Sequence, residues 1–175
     1  MRSSTRPPRA NAAQRAYDFA KWAILNAVYP AGEVVTVSAL AAEIGLSRSP
    51  VREALLRLEA EGLVRIESGR GAVVATFSHQ EIEDVLEARI LVENYTAARS
   101  FENRHSFLPE LVEVHEETKR RRRERDTAGF TGADRRFHEI IVDGAGNAVL
   151  SEMYRSLRER QTLFTSAMVR GREDR

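Results

Sequence analysis

Apolar residues recur at helical spacing from about Ala12 to Val28, where Ala16, Phe19, Ala20, Ala23, Ile24 and Ala27 share one face. Pro30 and Gly32 end that stretch. A shorter helix is predicted over 37–44, with Leu40, Ala41 and Ile44 inward and Gly45 as its terminating turn residue. A third helix is predicted to open at Ser49-Pro50, because serine suits an N-cap and proline the first helical position, where no N–H is needed. Its buried stripe is Val51, Ala54, Leu55 and Leu58, and Gly62 ends it. Two helices joined by a tight glycine-containing turn make a helix-turn-helix. Two β-type segments follow, 63–67 and 72–76, around the turn signal Ser68-Gly69-Arg70-Gly71. Three helices followed by a hairpin describe a winged helix.

The pattern after Ser78 is helical throughout. Ser78-His79-Gln80-Glu81 reads as a capping box, with Phe77 and Ile82 placed for the accompanying apolar staple. The helix it starts carries Ile82, Val85, Leu86, Arg89, Ile90 and Glu93 and reaches about Asn103. Pro109 is predicted to open a second helix, Thr131 a third and Asn147 a fourth, with Gly144-Ala145-Gly146 as a break. The expected fold class is therefore mainly α: an N-terminal winged helix-turn-helix followed by an all-α helical bundle. The boundaries read as a disordered basic arm over 1–11, the winged helix over 12–76 and the bundle over 78–175.

Composition narrows the class. With 42% apolar and 30% charged residues, the chain of 175 residues reads as globular and not disordered. It has no cysteine, which excludes disulfides, thiol catalysis and cysteine-ligated zinc. No run is apolar enough to span a bilayer, and no apolar core follows the basic N-terminus, so a cytoplasmic location is expected. The net charge of +1 conceals an asymmetry: residues 1–77 hold ten basic and seven acidic side chains, and the remainder is slightly acidic. A basic front half suits a nucleic-acid partner.

The candidate chemistry lies at the start of the third helix, which reads Ser47-Arg48-Ser49-Pro50-Val51-Arg52. Arg48 and Arg52 are one turn apart, and arginine is the side chain best shaped to bond guanine O6 and N7 in the major groove. Ser47 and Ser49 are short donors suited to phosphate, as are the N–H groups of a helix start. In the hairpin, Gly69 and Gly71 permit a tight turn, and Arg70 reaches toward phosphate or a minor groove. The run Lys119–Arg125 is basic, but Glu116 and Glu117 precede it at helical spacing, so it reads as the solvated face of a charged helix. His138-Glu139 lacks the second histidine of a zinc-protease motif, and no phosphate-binding or nucleophile-elbow motif is present. An enzyme and a winged-helix protein-interaction module are the alternatives to a DNA-binding regulator.

Residues 40–55, with Gly45-Leu46-Ser47-Arg48-Ser49-Pro50-Val51-Arg52-Glu53-Ala54-Leu55 at their centre, together with Glu61-Gly62-Leu63-Val64 and Gly69-Arg70-Gly71, resemble the GntR-family winged helix. The resemblance implies a transcriptional regulator that binds a palindromic operator in double-stranded DNA as a homodimer. It places Ser47, Arg48, Ser49 and Arg52 at DNA-contact positions and Gly69 at a wing contact.

The helical half resembles the FCD ligand-sensing domain of the FadR branch, through Val85-Leu86-Glu87-Ala88-Arg89-Ile90-Leu91-Val92-Glu93 and Asp134-Arg135-Arg136-Phe137-His138. That likeness implies a small carboxylate effector, with Arg89 as its planar partner, and a divalent metal (zinc, nickel or manganese in relatives) held by Asp134 and His138. Metal-binding members add two more histidines on later helices. No histidine follows His138 in this sequence, so the expectation is an incomplete metal site in a domain short of its last helices. Arg89 has a second reading, as an i+4 partner of Glu93.

Overall fold

The computed structural model describes residues 9–173. Cα packing divides the described residues into two compact units: those up to 82 together with those from 159 onward, and residues 83–158. The expected arm over 1–11 lies mostly outside the described residues; of it, Arg9, Ala10 and Asn11 continue the first helix.

In the first unit, α1 (Arg9–Leu25), α2 (Val37–Ile44) and α3 (Arg48–Ala60) enclose a core with a small sheet. Ala16, Ala20 and Ile24 of α1 are at most 1% exposed, as are Leu40, Val51, Ala54 and Leu58, so alanines let α1 approach α3 closely. At an area coefficient of roughly 25 cal/mol per Å2, each fully buried leucine or isoleucine here contributes about 1.5–3 kcal/mol. Strands β2 (Val64–Glu67) and β3 (Gly71–Val74) form the predicted hairpin. A third strand, β1 (Val34–Val35), pairs antiparallel with β3 and gives the order β1-β3-β2. Its two residues are too few to show alternation, which is why the sequence pattern does not reveal it. Gly71, at φ +120°, faces this strand: a Cβ there would lie 2.7 Å from the Val35 carbonyl oxygen.

The part of α7 (Ala148–Glu173) from residue 159 onward also belongs to this unit. Leu163 is 1% exposed within the same apolar cluster as α1 and α3, and the Phe164 ring meets Phe77 edge-on at 5.8 Å. The sequence pattern alone groups all of 78–175 as one helical segment. Phe77 was expected to serve a staple with Ile82, and its aromatic partner is Phe164.

The second unit holds most of α4 (His79–Ser100), then α5 (Arg104–Glu124), α6 (Thr127–Gly144) and the first part of α7. The predicted capping box starts α4: Glu81 N–H donates to the Ser78 hydroxyl at 3.2 Å, and Ser78 N–H donates to the Glu81 carboxylate at 2.7 Å. Two helix starts differ from the sequence reading. Pro109 does not open α5 but lies inside it, because a short 3-10 turn at Phe101–Asn103 leads directly into Arg104. Proline there forfeits one backbone hydrogen bond at an exposed position. Helix α6 begins at Thr127 and not near Thr131, since Asp126 is its N-cap, accepting from Gly129 N–H at 2.9 Å after the left-handed Arg125 (φ 58°). Val92, Val142 and Tyr154 form the core of this unit. Gly144 lets α6 pass Phe107 of α5, whose ring would lie 2.5 Å from a Cβ there.

Candidate nucleic-acid interface

The turn between α2 and α3 is built by backbone geometry. Thr36 caps α2 by accepting from Ala39 N–H at 3.1 Å, and Gly45 ends it in the left-handed region at φ 65°. Leu46 N–H returns to the Ala41 carbonyl at 3.0 Å. Ser47 is then extended, at φ −75° and ψ 161°, and the helix begins at Arg48. The N-cap is therefore Ser47, not Ser49 as the Ser-Pro signal suggests. Pro50 becomes the third helical residue, still within the first turn, where its missing N–H costs nothing.

The Ser47 side chain makes no capping bond, so its hydroxyl and the orphan N–H groups of the first turn of α3 remain for an external acceptor. Ser47, Arg48, Ser49 and Arg52 are all exposed, while Val51, Ala54 and Leu55 on the opposite face are buried. Among the described residues, neither Arg48 nor Arg52 is paired with a carboxylate. Arg48 and Arg52 thus lie one helical turn apart on the exposed side of a helix whose other face is buried.

The hairpin tip is exposed at Gly69 and Arg70. Gly69 turns the chain at φ 77° with open space around it. Arg70 lies 3.5 Å from the Glu67 carboxylate, which also receives Arg65 at 3.0 Å; both arginine side chains are 76% exposed. Pairs this open contribute about 0–1 kcal/mol, so Glu67 holds Arg70 only weakly. In the basic run, Lys119 pairs with Glu116, and Arg120 and Arg121 with Glu117, as expected of a solvated helix face. Arg121 also bonds Asp126 at 2.7 Å.

The candidate sensor residues lie in the second unit. The Arg89 side chain, 11% exposed, bonds the Glu93 carboxylate and the Tyr154 hydroxyl, the latter at 3.3 Å. Burial pushes the Tyr154 hydroxyl above its ordinary pKa. Asp134 Oδ1 stands 3.8 Å from His138 Nε2, and His138 Nδ1 stands 3.9 Å from Glu93. The other Asp134 oxygen accepts from Arg158 at 2.9 Å. Burial acts most strongly against the Arg158 charge, but its bonds and attractions to Asp134 and Tyr154 together outweigh it, and the net shift of its pKa is upward. Among the described residues no group of three histidine, aspartate or glutamate side chains is arranged to hold an ion. The two carboxylates that face His138 are already engaged by arginines, Asp134 by Arg158 and Glu93 by Arg89. Sequence reading missed Arg158 because Arg155-Ser-Leu-Arg158-Glu-Arg160 has the look of a solvated charge run.

Comparison with known proteins agrees with this architecture. Residues 12–74 match the family described as bacterial regulatory proteins, gntR family, and residues 84–175 match the FCD domain. An HTH-type transcriptional regulator of Agrobacterium vitis, encoded in the TAR-I ttuE-ttuC' intergenic region, is 33% identical over 131 residues, 73% of this chain and 77% of that protein. The gluconate operon transcriptional repressor of Bacillus licheniformis is 29% identical over 150 residues, 85% of this chain but 61% of the repressor's length. Among solved structures, E. coli McbR/YncC superposes with a TM-score of 0.75 at 23% identity, over 88% of this chain and 74% of that one. These relatives are transcriptional regulators and not enzymes. The chain belongs to the GntR family of bacterial transcriptional regulators, with a winged helix-turn-helix followed by an FCD domain.

Proposed function

We propose that this regulator binds a palindromic operator as a homodimer, with the start of α3 in the major groove of each half-site and the wing on the neighbouring backbone. The observation that carries the reading is the exposed Arg48 and Arg52, which meet no carboxylate among the described residues, beside a Ser47 hydroxyl that makes no capping bond. Arginine forks specify bases, serine hydroxyls and helix N–H groups fix register on phosphate, and Arg70 adds backbone contact. Two-fold symmetry of the protein would be mirrored in the operator. Several relatives are named as repressors, which favours repression as the sign.

A small carboxylate is the effector class this reading favours, and Arg89 is its candidate partner, exchanging Glu93 for the ligand. Because Arg158 already neutralises Asp134, the reading routes no binding through a metal.

Selection from random duplex DNA tests the proposal, comparing the wild type with an Arg48→Ala/Arg52→Ala variant. A short palindrome enriched by the wild type and lost in the variant is the expected result. No enrichment above a salt-sensitive background would return the winged helix to the protein-interaction reading.

A further inference from the structure

Helix α3 is anchored at its far end partly by residues of α7, which neither the helix-turn-helix pattern nor the family match assigns to the DNA-binding domain. Its C-terminal cap is Glu61, followed by Gly62 at φ 74°. The Glu61 carboxylate accepts from the Tyr17 hydroxyl at 2.7 Å and from Lys21 Nζ at 2.9 Å. Lys21 also bonds the Tyr17 hydroxyl at 2.7 Å and Glu159 of α7 at 2.8 Å. Lys21 is 20% exposed, Glu61 29% and Glu159 11%, so this four-membered network is largely withdrawn from solvent. Burial alone would lower the Lys21 pKa, but the bonds to Glu159, Tyr17 and Glu61 outweigh it and the net shift is upward.

The next residue of α7 grips the same point. Arg160 donates to the Glu61 carbonyl oxygen at 3.3 Å, and its guanidinium lies so close over Gly62 that a Cβ there would meet Nη2 at 3.0 Å. Leu163, one turn further, is buried in the cluster that contains Ala54, Leu55 and Leu58 of α3. Arg57 of α3, in turn, stacks on the Tyr17 ring with its guanidinium carbon 3.8 Å from the centroid. A helix of this length, roughly 20 Å, behaves as a short rod. Fixing its C-terminal end therefore fixes where Ser47, Arg48 and Arg52 point at the other.

We propose that Glu159 and Arg160 of α7 are positioning residues for the recognition helix α3, so that the working DNA-binding unit includes a segment more than eighty residues beyond the wing. The inference rests on α3 being the element that enters DNA. It goes beyond that reading by placing part of the operator-binding machinery within the segment matched to the FCD domain.

The test uses the full chain and the variants Glu159→Gln, Glu159→Asp and Arg160→Ala, with Glu152→Gln on the exposed face of α7 as reference. The probes are the duplex enriched by the wild type and a random duplex of equal length, titrated well below each variant's thermal midpoint. Loss of one member of a partly buried charged network is expected to weaken operator binding about three- to tenfold in Glu159→Gln and Arg160→Ala, and random-duplex binding less than about twofold. Glu159→Asp keeps the charge and should recover most of the loss. A second readout needs no operator: hydrogen exchange of the DNA-free chain should accelerate over residues 47–52 and 57–62 in Glu159→Gln and Arg160→Ala but not in Glu152→Gln.

Operator affinity and α3 exchange both unchanged would overturn the proposal. Equal loss on both duplexes, with no recovery in Glu159→Asp, would also overturn it, because general destabilisation would then be the cause. If the wild type enriches no operator, the DNA-binding reading fails, and the exchange experiment still decides whether α7 holds α3.

Discussion

Arg52 and Arg70 are both exposed arginines, but their surroundings give them different work. Arg52 stands on α3 one turn from Arg48 and meets no carboxylate among the described residues, whereas Arg70 sits at a hairpin tip beside Glu67. Arg52→Ala is expected to cost about 1–3 kcal/mol of operator affinity and to relax preference at one base position, read by competition with single-base variants of the operator. Arg70→Ala should weaken operator and random duplex alike and flatten the salt dependence of binding by about one unit of slope. Two glycines of the hairpin separate conformational strain from steric conflict. Gly69→Ala meets open space and should cost about 1–2 kcal/mol for its positive φ alone. Gly71→Ala adds a Cβ 2.7 Å from the Val35 carbonyl and should cost distinctly more, by urea titration, because β1 must move away.

Helix starts are where the elements depended most on details invisible to periodicity. Asp126 holds the start of α6 through Gly129 N–H and Arg121, and these bonds depress its pKa below the ordinary aspartate value, the backbone bond contributing most. A depressed folded pKa means that the stabilisation is complete above the unfolded value, about pH 4, and is lost as pH falls through the folded one. Asp126→Asn should therefore reduce stability at neutral pH and shrink the loss of stability below about pH 4, measured by thermal unfolding across pH. Glu81, depressed by its bonds to Ser78, has the same sign. The capping box of α4 was legible because serine and glutamate at a fixed spacing carry the mechanism in the sequence. The start of α6 was not, because Gly129 and Gly132 read as loop and a left-handed Arg125 carries no local signal. Likewise the Ser-Pro pair drew the start of α3 two residues late, although the recognition residues themselves stood out by type and spacing.

At the scale of the whole chain, the difference between sequence and structure lies in long-range packing. The apolar stripes of α1 and α3 marked the winged-helix core, but no stripe could announce that Leu163 completes it, since Leu157, Leu163 and Phe164 share one helix across two units. Which stripe faces which core is decided by packing, not period. A chain of two units need not unfold in one step, and this makes the assignment measurable. Trp22, the single tryptophan, lies on α1 in the first unit, so its emission follows that unit, while helical circular dichroism follows both. Leu163→Ala deletes a side chain 1% exposed and should destabilise by roughly 2–5 kcal/mol. If α7 belongs to the winged-helix core, the loss lowers the Trp22 transition, even though residue 163 is distant in sequence and within the FCD match. Val142→Ala, in the core of the second unit, supplies the converse, moving the circular-dichroism transition more than the tryptophan one. A Leu163→Ala chain whose Trp22 transition matched the wild type would detach α7 from the DNA-binding unit. A shift confined to that transition would extend the unit to residues the family boundary assigns elsewhere.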